Sequence, residues 1–287
     1  MKRLAITLIL LLGTSPAWAG PIFLTGHDPD FHAPGSAGAA NLLRAGLNFV
    51  TNGTFDDAAP VKRFLWVESR IAPPGGHLVG ENGLGALGLA LGAQYDRANA
   101  AELAGANLSN YSAIAVASSF GGLLGQAELD ALIARKNDIK NFVNAGGGVL
   151  ALSECFPASG HCLADLLGPA PNLYGFLPVT VSSVDPTVPF NPTAAGAAPP
   201  FNLVFGDLND PTHNSFGLIG GLTPLDLDSG NPQQATTLAG DVKIGDGGFC
   251  GVPGTPPCPT PEPSTLLLLG SGLAGLGAVV WGRSRRK

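Results

Sequence analysis

A strand, an amphipathic helix and a second strand follow one another in the middle of the chain, and this succession constrains the fold more than any other feature. Apolar and small side chains run through 111–119 and 148–152, which predicts two short buried strands. Between them, 125–145 repeats apolar residues at helical spacing: Leu129, Leu132, Ile133, Ile139, Phe142 and Val143. The run NAGGG at 144–148 supplies residues that tolerate positive φ and predicts the end of the helix. Such a unit predicts a parallel crossover.

Further strands and helices are predicted on either side of this unit. The predicted elements are strands over 21–26, 63–68, 177–184 and 201–205, a helix over 36–50 capped by Ser36, and a helix over 83–92 despite its glycines. Alternation of this kind predicts an α/β domain over 20–230, built on an open, mostly parallel, flavodoxin-like sheet with flanking helices. The Pro- and Gly-rich stretch 231–260 is predicted to be a linker.

Both ends of the chain look like targeting segments. Lys2 and Arg3 precede the apolar run 4–12, and Ala17-Trp18-Ala19 matches a small-x-small cleavage site, which predicts a signal peptide over 1–19 removed by signal peptidase. An uncleaved anchor is the alternative. At the other end, 265–281 is apolar and uncharged and is followed by a basic cluster, which predicts a transmembrane helix whose basic end stays in the cytoplasm.

The residues just before that apolar run carry a recognisable motif. Pro261, Glu262 and Pro263, followed by the apolar run and the basic end, closely resemble the PEP-CTERM sorting signal over 261–287. The resemblance implies recognition by an exosortase, cleavage near the motif, and delivery to the cell surface or the extracellular matrix. A plain tail anchor in the inner membrane would share the helix and the charges without needing the motif.

Charge and cysteine content narrow the possible partners. The net charge is −6, and no cluster of Lys and Arg in the exported part offers a surface for DNA or RNA. The four cysteines, Cys155, Cys162, Cys250 and Cys258, fall as two close pairs, which indicates disulfides formed in an oxidising compartment. A zinc site made of the four thiolates is the alternative.

A second resemblance covers about residues 21–155. The runs IFLTGHD at 22–28 and IKNFVNAGGGVLALSE at 139–154 look like the class I glutamine amidotransferase-like superfamily. In that superfamily the residue that ends the second strand is a cysteine nucleophile. The matching position here is Ser153, and the expected Gly-x-Cys-x-Gly pattern is absent, so the resemblance does not imply glutaminase activity.

Polar residues directly after the first strand could hold a divalent metal. His27, Asp28, Asp30 and His32 lie within six residues, and imidazole and carboxylate are metal ligands. The alternative is a turn in which Asp28 and Asp30 accept hydrogen bonds from nearby backbone amides while the histidines lie in solvent.

Ser153 is a candidate nucleophile because it follows the strand 148–152, where a histidine could activate it. The candidate partners are His27, His32, His161 and His213, of which His213 is the natural choice. The alternative is that Ser153 caps a turn while Cys155 pairs with Cys162.

Three functions follow from these features. The first is an exported protein whose α/β domain binds or processes a ligand, and the second is a non-enzymatic matrix or interaction protein. The third is a metal-dependent or serine hydrolase, which predicts that His27, Asp28, His32, Ser153 and His213 converge in one place. A matrix protein predicts that these residues scatter.

Overall fold

The computed structural model describes residues 19–69, 81–119, 124–153, 175–179, 181–184, 190–209 and 212–258. Residues 1–18 of the predicted signal peptide, the Cys155 and Cys162 pair, His161 and the predicted transmembrane helix lie outside these residues.

The described chain alternates strands and helices in its first half and is mostly strand in its second half. The strands are β1 (Gly20–Thr25), β2 (Phe64–Val67), β3 (Tyr95–Ala98), β4 (Ala113–Val116), β5 (Gly148–Ala151), β6 (Val181–Val184), β7 (Phe190–Pro192), β8 (Asn214–Gly217), β9 (Thr223–Pro224), β10 (Asp226–Asp228), β11 (Gln234–Ala235), β12 (Thr237–Gly245) and β13 (Gly248–Cys250). The helices are α1 (Pro29–His32), α2 (Ala37–Val50), α3 (Glu81–Ala86), α4 (Ala100–Gly105), α5 (Gln126–Ala134), α6 (Lys136–Asn144) and α7 (Ala194–Ala197).

The central sheet is mixed and mostly parallel. Its strands follow the order β13-β12-β1-β5-β4-β2-β3, and β9 also pairs with β12. The strands from β1 to β3 along this path pair in parallel, whereas β12 runs antiparallel to β1. The α/β prediction is therefore confirmed in its coarse form. The order differs from the 2-1-3-4-5 order of flavodoxin-like sheets, because β1 lies between β5 and β12.

Side chains alternate between the two faces of the sheet, and both faces are covered. In β1, Ile22 and Leu24 join one apolar cluster while Phe23 joins the other. The first cluster includes Leu129 of α5 and Ile139 of α6, and the second includes residues of α2 such as Leu43. Because both faces are covered, β1, β2, β4 and β5 are buried along their whole length, as their apolar sequences predict.

Three element predictions need correction, and two elements were missed. The helix predicted over 125–145 is two helices that meet at Arg135, whose guanidinium donates to the carbonyls of Leu103 and Ala106. The helix predicted over 83–92 ends at Ala86, because Gly88 and Gly92 take φ of +80°. The strand predicted over 201–205 is absent, and a short 3₁₀ turn covers Phe205–Leu208 instead. The edge strand β3 and the helix α4 were not predicted.

The segment predicted as a linker is part of the fold. Residues 234–250 form β11, β12 and β13, and β12 pairs with β1 over the whole length of β1. Leu238 and Val242 of β12 are fully buried, so the apolar alternation of this strand outweighs the surrounding Pro and Gly.

A disulfide joins Cys250 of β13 to Cys258, with a Cα–Cα distance of 4.9 Å. This pairing confirms the local disulfide prediction for the second pair of cysteines. In the part of the chain that the structure covers, no helix has both the length and the apolar character needed to cross a membrane.

Candidate functional site at the carboxyl edge of the sheet

The backbone continues the sheet beyond the carboxyl ends of β1, β4 and β5. The amide of Ser153 donates to the carbonyl of His27 at 2.9 Å, and the amide of Ser119 donates to the carbonyl of Ser153 at 2.9 Å. On the other side, the amide of His213 donates to the carbonyl of Gly26 at 2.8 Å. These bonds bring segments that are distant in sequence to one edge, where open α/β sheets bind ligands.

Gly26 is required for this close approach. A Cβ atom at this position would lie 1.7 Å from the carbonyl oxygen of Asn214. The backbone of β1 could therefore not meet the segment that carries His213 if residue 26 had a side chain.

Asp28 is the most unusual residue at this edge. It stands at the N-cap position of α1, yet its side chain accepts no capping hydrogen bond. The side chain is wholly buried, and neither carboxylate oxygen has a hydrogen-bond partner. Its Oδ1 lies 3.3 Å from Nε2 of His213 and 3.4 Å from Nε2 of His32. The turn predicted as the alternative for this residue is therefore not formed.

The local sequence explains how the two histidines reach Asp28. His32 is four residues further on, and α1 places residues four apart on the same side of the helix. His213 reaches Asp28 from just before β8, and its side chain is 8% exposed, compared with 27% for His32.

Asp30 is buried in the same region, but its carboxylate accepts several hydrogen bonds. Ser118, which follows β4, donates its hydroxyl to Asp30 Oδ1 at 2.6 Å and its amide to Oδ2 at 2.9 Å. The amide of Phe31 also donates to Asp30, at 3.1 Å. Burial, together with the nearby Asp28 and Glu68, raises the pKa of the Asp30 carboxyl to about 7, against the lowering effect of the bonds from Ser118.

His27 faces away from the Asp28 carboxylate. Its Nε2 lies 3.2 Å from the hydroxyl oxygen of Thr236, which in turn donates to Asp226 at 2.6 Å. Because a hydroxyl carries one hydrogen and gives it to Asp226, Nε2 of His27 is the donor to Thr236. Asp226 also accepts the amides of Thr236 and Thr237, and burial raises its pKa. His27 is thus part of a second buried network.

Ser153 is brought to this edge, but none of the described histidines is hydrogen-bonded to its hydroxyl. Its side chain is fully buried, and its hydroxyl has no hydrogen-bond partner. Ser153 and His213 therefore occupy the same edge of the sheet, through Gly26 and His27, without forming the hydrogen-bonded pair that a serine nucleophile needs.

Glu68 is a residue of this edge that sequence reasoning missed. It follows β2 directly, is fully buried, and accepts from the indole of Trp66 at 3.0 Å and from the amide of Glu81 at 3.1 Å. Its Oε1 has no hydrogen-bond partner and lies 3.8 Å from Arg97, which also pairs with Glu81. Burial raises the pKa of Glu68. In the sequence, the only signal for a role of Glu68 at this edge was its position at the end of the strand predicted over 63–68.

Ser118, Asp226 and Thr236 were also missed, since each belongs to a buried hydrogen-bond network that pairs residues far apart in sequence. Among the described residues, no group of three or more His, Cys, Asp and Glu side chains is placed so that it could hold a metal ion. A cleft of about 550 Å³ lies at the opposite edge of the sheet, lined among others by Lys62, Ser112 and Gly147.

Comparison with known proteins identifies one segment. The family model of the PEP-CTERM protein-sorting motif matches residues 259–286, which confirms the motif predicted over 261–287. The motif implies an exported, exosortase-processed protein that reaches the cell surface. No curated protein and no solved structure matches the chain.

Proposed function

We propose that this exported, surface-sorted protein binds or processes a small ligand at the carboxyl edge of its central sheet, with Asp28, His32 and His213 at the centre of the site. The observation that carries the proposal is the Asp28 carboxylate, which is wholly buried and accepts no hydrogen bond. The leader over 1–19 and the membrane-anchored precursor stage belong to the same proposal.

Stability alone gives no reason to keep such a group. A buried charge costs several kcal/mol unless it is paired and hydrogen-bonded. Asp226 illustrates the usual solution, since three donors surround its carboxylate. Buried groups that lack such compensation concentrate at functional sites. Asp28 therefore supports a site whose remaining donors are supplied by a ligand.

The resemblance to the amidotransferase-like superfamily belongs to this proposal as well. It is supported by the parallel pairing of β4 and β5 and by the position of Ser153 two residues after β5. The chemistry would differ from that of a cysteine amidotransferase, because a serine stands at the nucleophile position.

A metal-dependent hydrolase is a second candidate, favoured by one specific observation. Oδ1 of Asp28 lies 3.3 and 3.4 Å from two imidazole nitrogens, and ligands of one tetrahedral ion with bonds of about 2.1 Å are separated by similar distances. The two imidazoles would have to turn towards a common point before they could share an ion with Asp28.

The experiment that tests the proposed site compares the full chain, purified in detergent, with Asp28→Asn. A thermal stability that rises in the variant supports a functional site, and one that falls identifies a structural carboxylate and contradicts the proposal. Metal analysis of the same samples separates the two candidates. Bound metal that is lost in His32→Ala and His213→Ala, but kept in the control His27→Ala, selects the metal-dependent hydrolase.

A serine hydrolase is tested separately with a fluorophosphonate probe. Labelling that disappears in Ser153→Ala would favour this activity, whereas an unlabelled wild-type protein leaves Asp28 and its two histidines as the reactive groups. A protein that neither gains stability in Asp28→Asn nor carries metal or label is better described as the non-enzymatic matrix protein.

A further inference from the structure

We infer that the ligand of the Asp28 site carries a positively charged ammonium group. This inference rests on the proposed function and names the chemical class of its ligand. It starts from the imbalance between hydrogen-bond acceptors and donors at the carboxyl edge.

The unsatisfied atoms at this edge are acceptors. Both oxygens of Asp28 and Oε1 of Glu68 are buried carboxylate oxygens without hydrogen-bond partners. The hydroxyl of Ser153, which has no partner either, can accept as well as donate. A ligand that completes these groups must bring hydrogen-bond donors, and an ammonium group brings three of them without any acceptor.

The charges point to the same class of ligand. Asp28, Asp30 and Glu68 are all fully buried, and the charge of Glu68 contributes to the raised pKa of Asp30. Among the described residues, Arg97 is the permanently charged side chain that contacts this group, and it is already shared between Glu68 and Glu81, while Asp28 is approached by the imidazoles of His32 and His213. A phosphate, sulfate or carboxylate ligand would add a further negative charge beside these acids and would be repelled.

Stabilisation of a helix N-terminus explains several of the acidic residues near this edge, but it does not explain Asp28. Asp30, Glu81 and Glu128 lie in the first turns of α1, α3 and α5, where carboxylates favour the helix dipole. Their oxygens have backbone or side-chain donors. Asp28 stands at such a position too, but its oxygens accept nothing, so helix capping does not account for it.

An organic cation also fits better than a bare metal ion. Within the described ranges, no three His, Cys, Asp or Glu side chains are arranged to hold a metal ion. The unsatisfied acceptors lie just before α1, after β2 and after β5, so a ligand that meets more than one of them needs donors that point in different directions, as the N–H bonds of an ammonium group do.

The probe is ethylammonium chloride, tested on the full chain in detergent by thermal unfolding with ionic strength held constant by NaCl. Ethanol and sodium acetate serve as the neutral and anionic counterparts of similar size, and zinc chloride serves as the metal. We expect the melting temperature to rise by about 5 °C at a hundredfold excess of ethylammonium over its Kd. We expect no rise with ethanol or acetate.

Asp28→Asn should abolish the shift caused by ethylammonium. The matched control is Asp246→Asn, which removes a carboxylate that is 86% exposed on the turn between β12 and β13, at the other end of β1. This control should keep the full shift. An ethylammonium shift that persists in Asp28→Asn would show binding elsewhere and would overturn the inference.

Failure of this inference can be told apart from failure of the proposed function. If Asp28→Asn is more stable than the wild type but only acetate or zinc raises the melting temperature, the site stands and its ligand is not an ammonium group. If Asp28→Asn is less stable, the carboxylate is structural and both proposals fall.

Discussion

Replacing Asp28 by Asn should make this protein more stable. The substitution keeps the shape of the side chain and removes a negative charge that is wholly buried and accepts no hydrogen bond. Nε2 atoms of His32 and His213, at 3.4 and 3.3 Å, compensate that charge only in part. Most substitutions of buried polar residues destabilise proteins, so the expected sign is opposite to the usual one.

The magnitude follows from two opposing costs. Burying an incompletely paired carboxylate costs several kcal/mol, and Asp28→Asn removes that cost. The new amide is itself a buried polar group, and leaving it unsatisfied costs about 1–3 kcal/mol. The difference is a gain of about 1–3 kcal/mol, or about 3–10 °C in melting temperature for a domain of this size.

The assay is thermal unfolding followed by circular dichroism, supported by chemical denaturation of the same samples. Asp226→Asn is the matched control, because Asp226 is equally buried but accepts three hydrogen bonds, including one of 2.6 Å from Thr236. This control should lose about 1–3 kcal/mol, since an amide nitrogen cannot accept the bonds that one carboxylate oxygen accepted. Equal losses of stability in Asp28→Asn and Asp226→Asn would refute the reasoning.

Three further predictions concern Asp30, the disulfide of β13 and Gly26. The pKa of Asp30 is raised to about 7 in the folded state, against an ordinary value of 3.8, so this group favours folding most at low pH. Its contribution to the free energy of unfolding should decline as the pH rises from about 4 to about 7. Asp30→Asn should therefore flatten this part of the pH profile of stability, measured by urea denaturation. Reduction of the disulfide between Cys250 and Cys258, or the double substitution to Ser, should cost about 2–3 kcal/mol by the loop-entropy estimate, measurable as a lower urea midpoint, and an unchanged midpoint would mean that the bond is not formed in the protein. Gly26→Ala should cost at least about 3 kcal/mol, because the added Cβ would lie 1.7 Å from the carbonyl oxygen of Asn214, whereas Gly85→Ala, with open space around its Cβ, should be tolerated in the same unfolding assay.

The elements that could be predicted from sequence are those with local signals. Ser36 caps α2 as predicted, accepting from the amide of Ala39 at 3.2 Å, because capping depends on residues three apart. The strands β1, β2, β4 and β5 were predicted from apolar runs, since both faces of a parallel sheet are buried. The strand β12 was missed, because its partner β1 lies more than 200 residues earlier and its flanks resemble a linker.

The sequence indicated which residues lie at the site but not which of them contact each other. His27 and Asp28 are adjacent in sequence, yet they serve separate networks, because successive side chains of an extended chain point in opposite directions. The structure places His27 beside Thr236, and it places His213 beside Asp28 rather than beside the hydroxyl of Ser153. Local patterns identify which residues reach the edge, whereas the register between distant segments decides which of them meet.

This division into two networks also predicts which residues should be coupled in double-mutant experiments. Hydrogen bonds link His27 to Asp226 through Thr236. Asp28 contacts His213 in a separate group. The two groups are joined through the backbone of His27, which precedes Asp28 in the chain. The stability effects of Asp226→Asn and His27→Ala should therefore be non-additive, whereas those of Asp226→Asn and His213→Ala should add to within about 0.5 kcal/mol. Strong coupling across the backbone would mean that the two networks act as one site, and Asp226 would then have to be counted among the groups that meet the ligand.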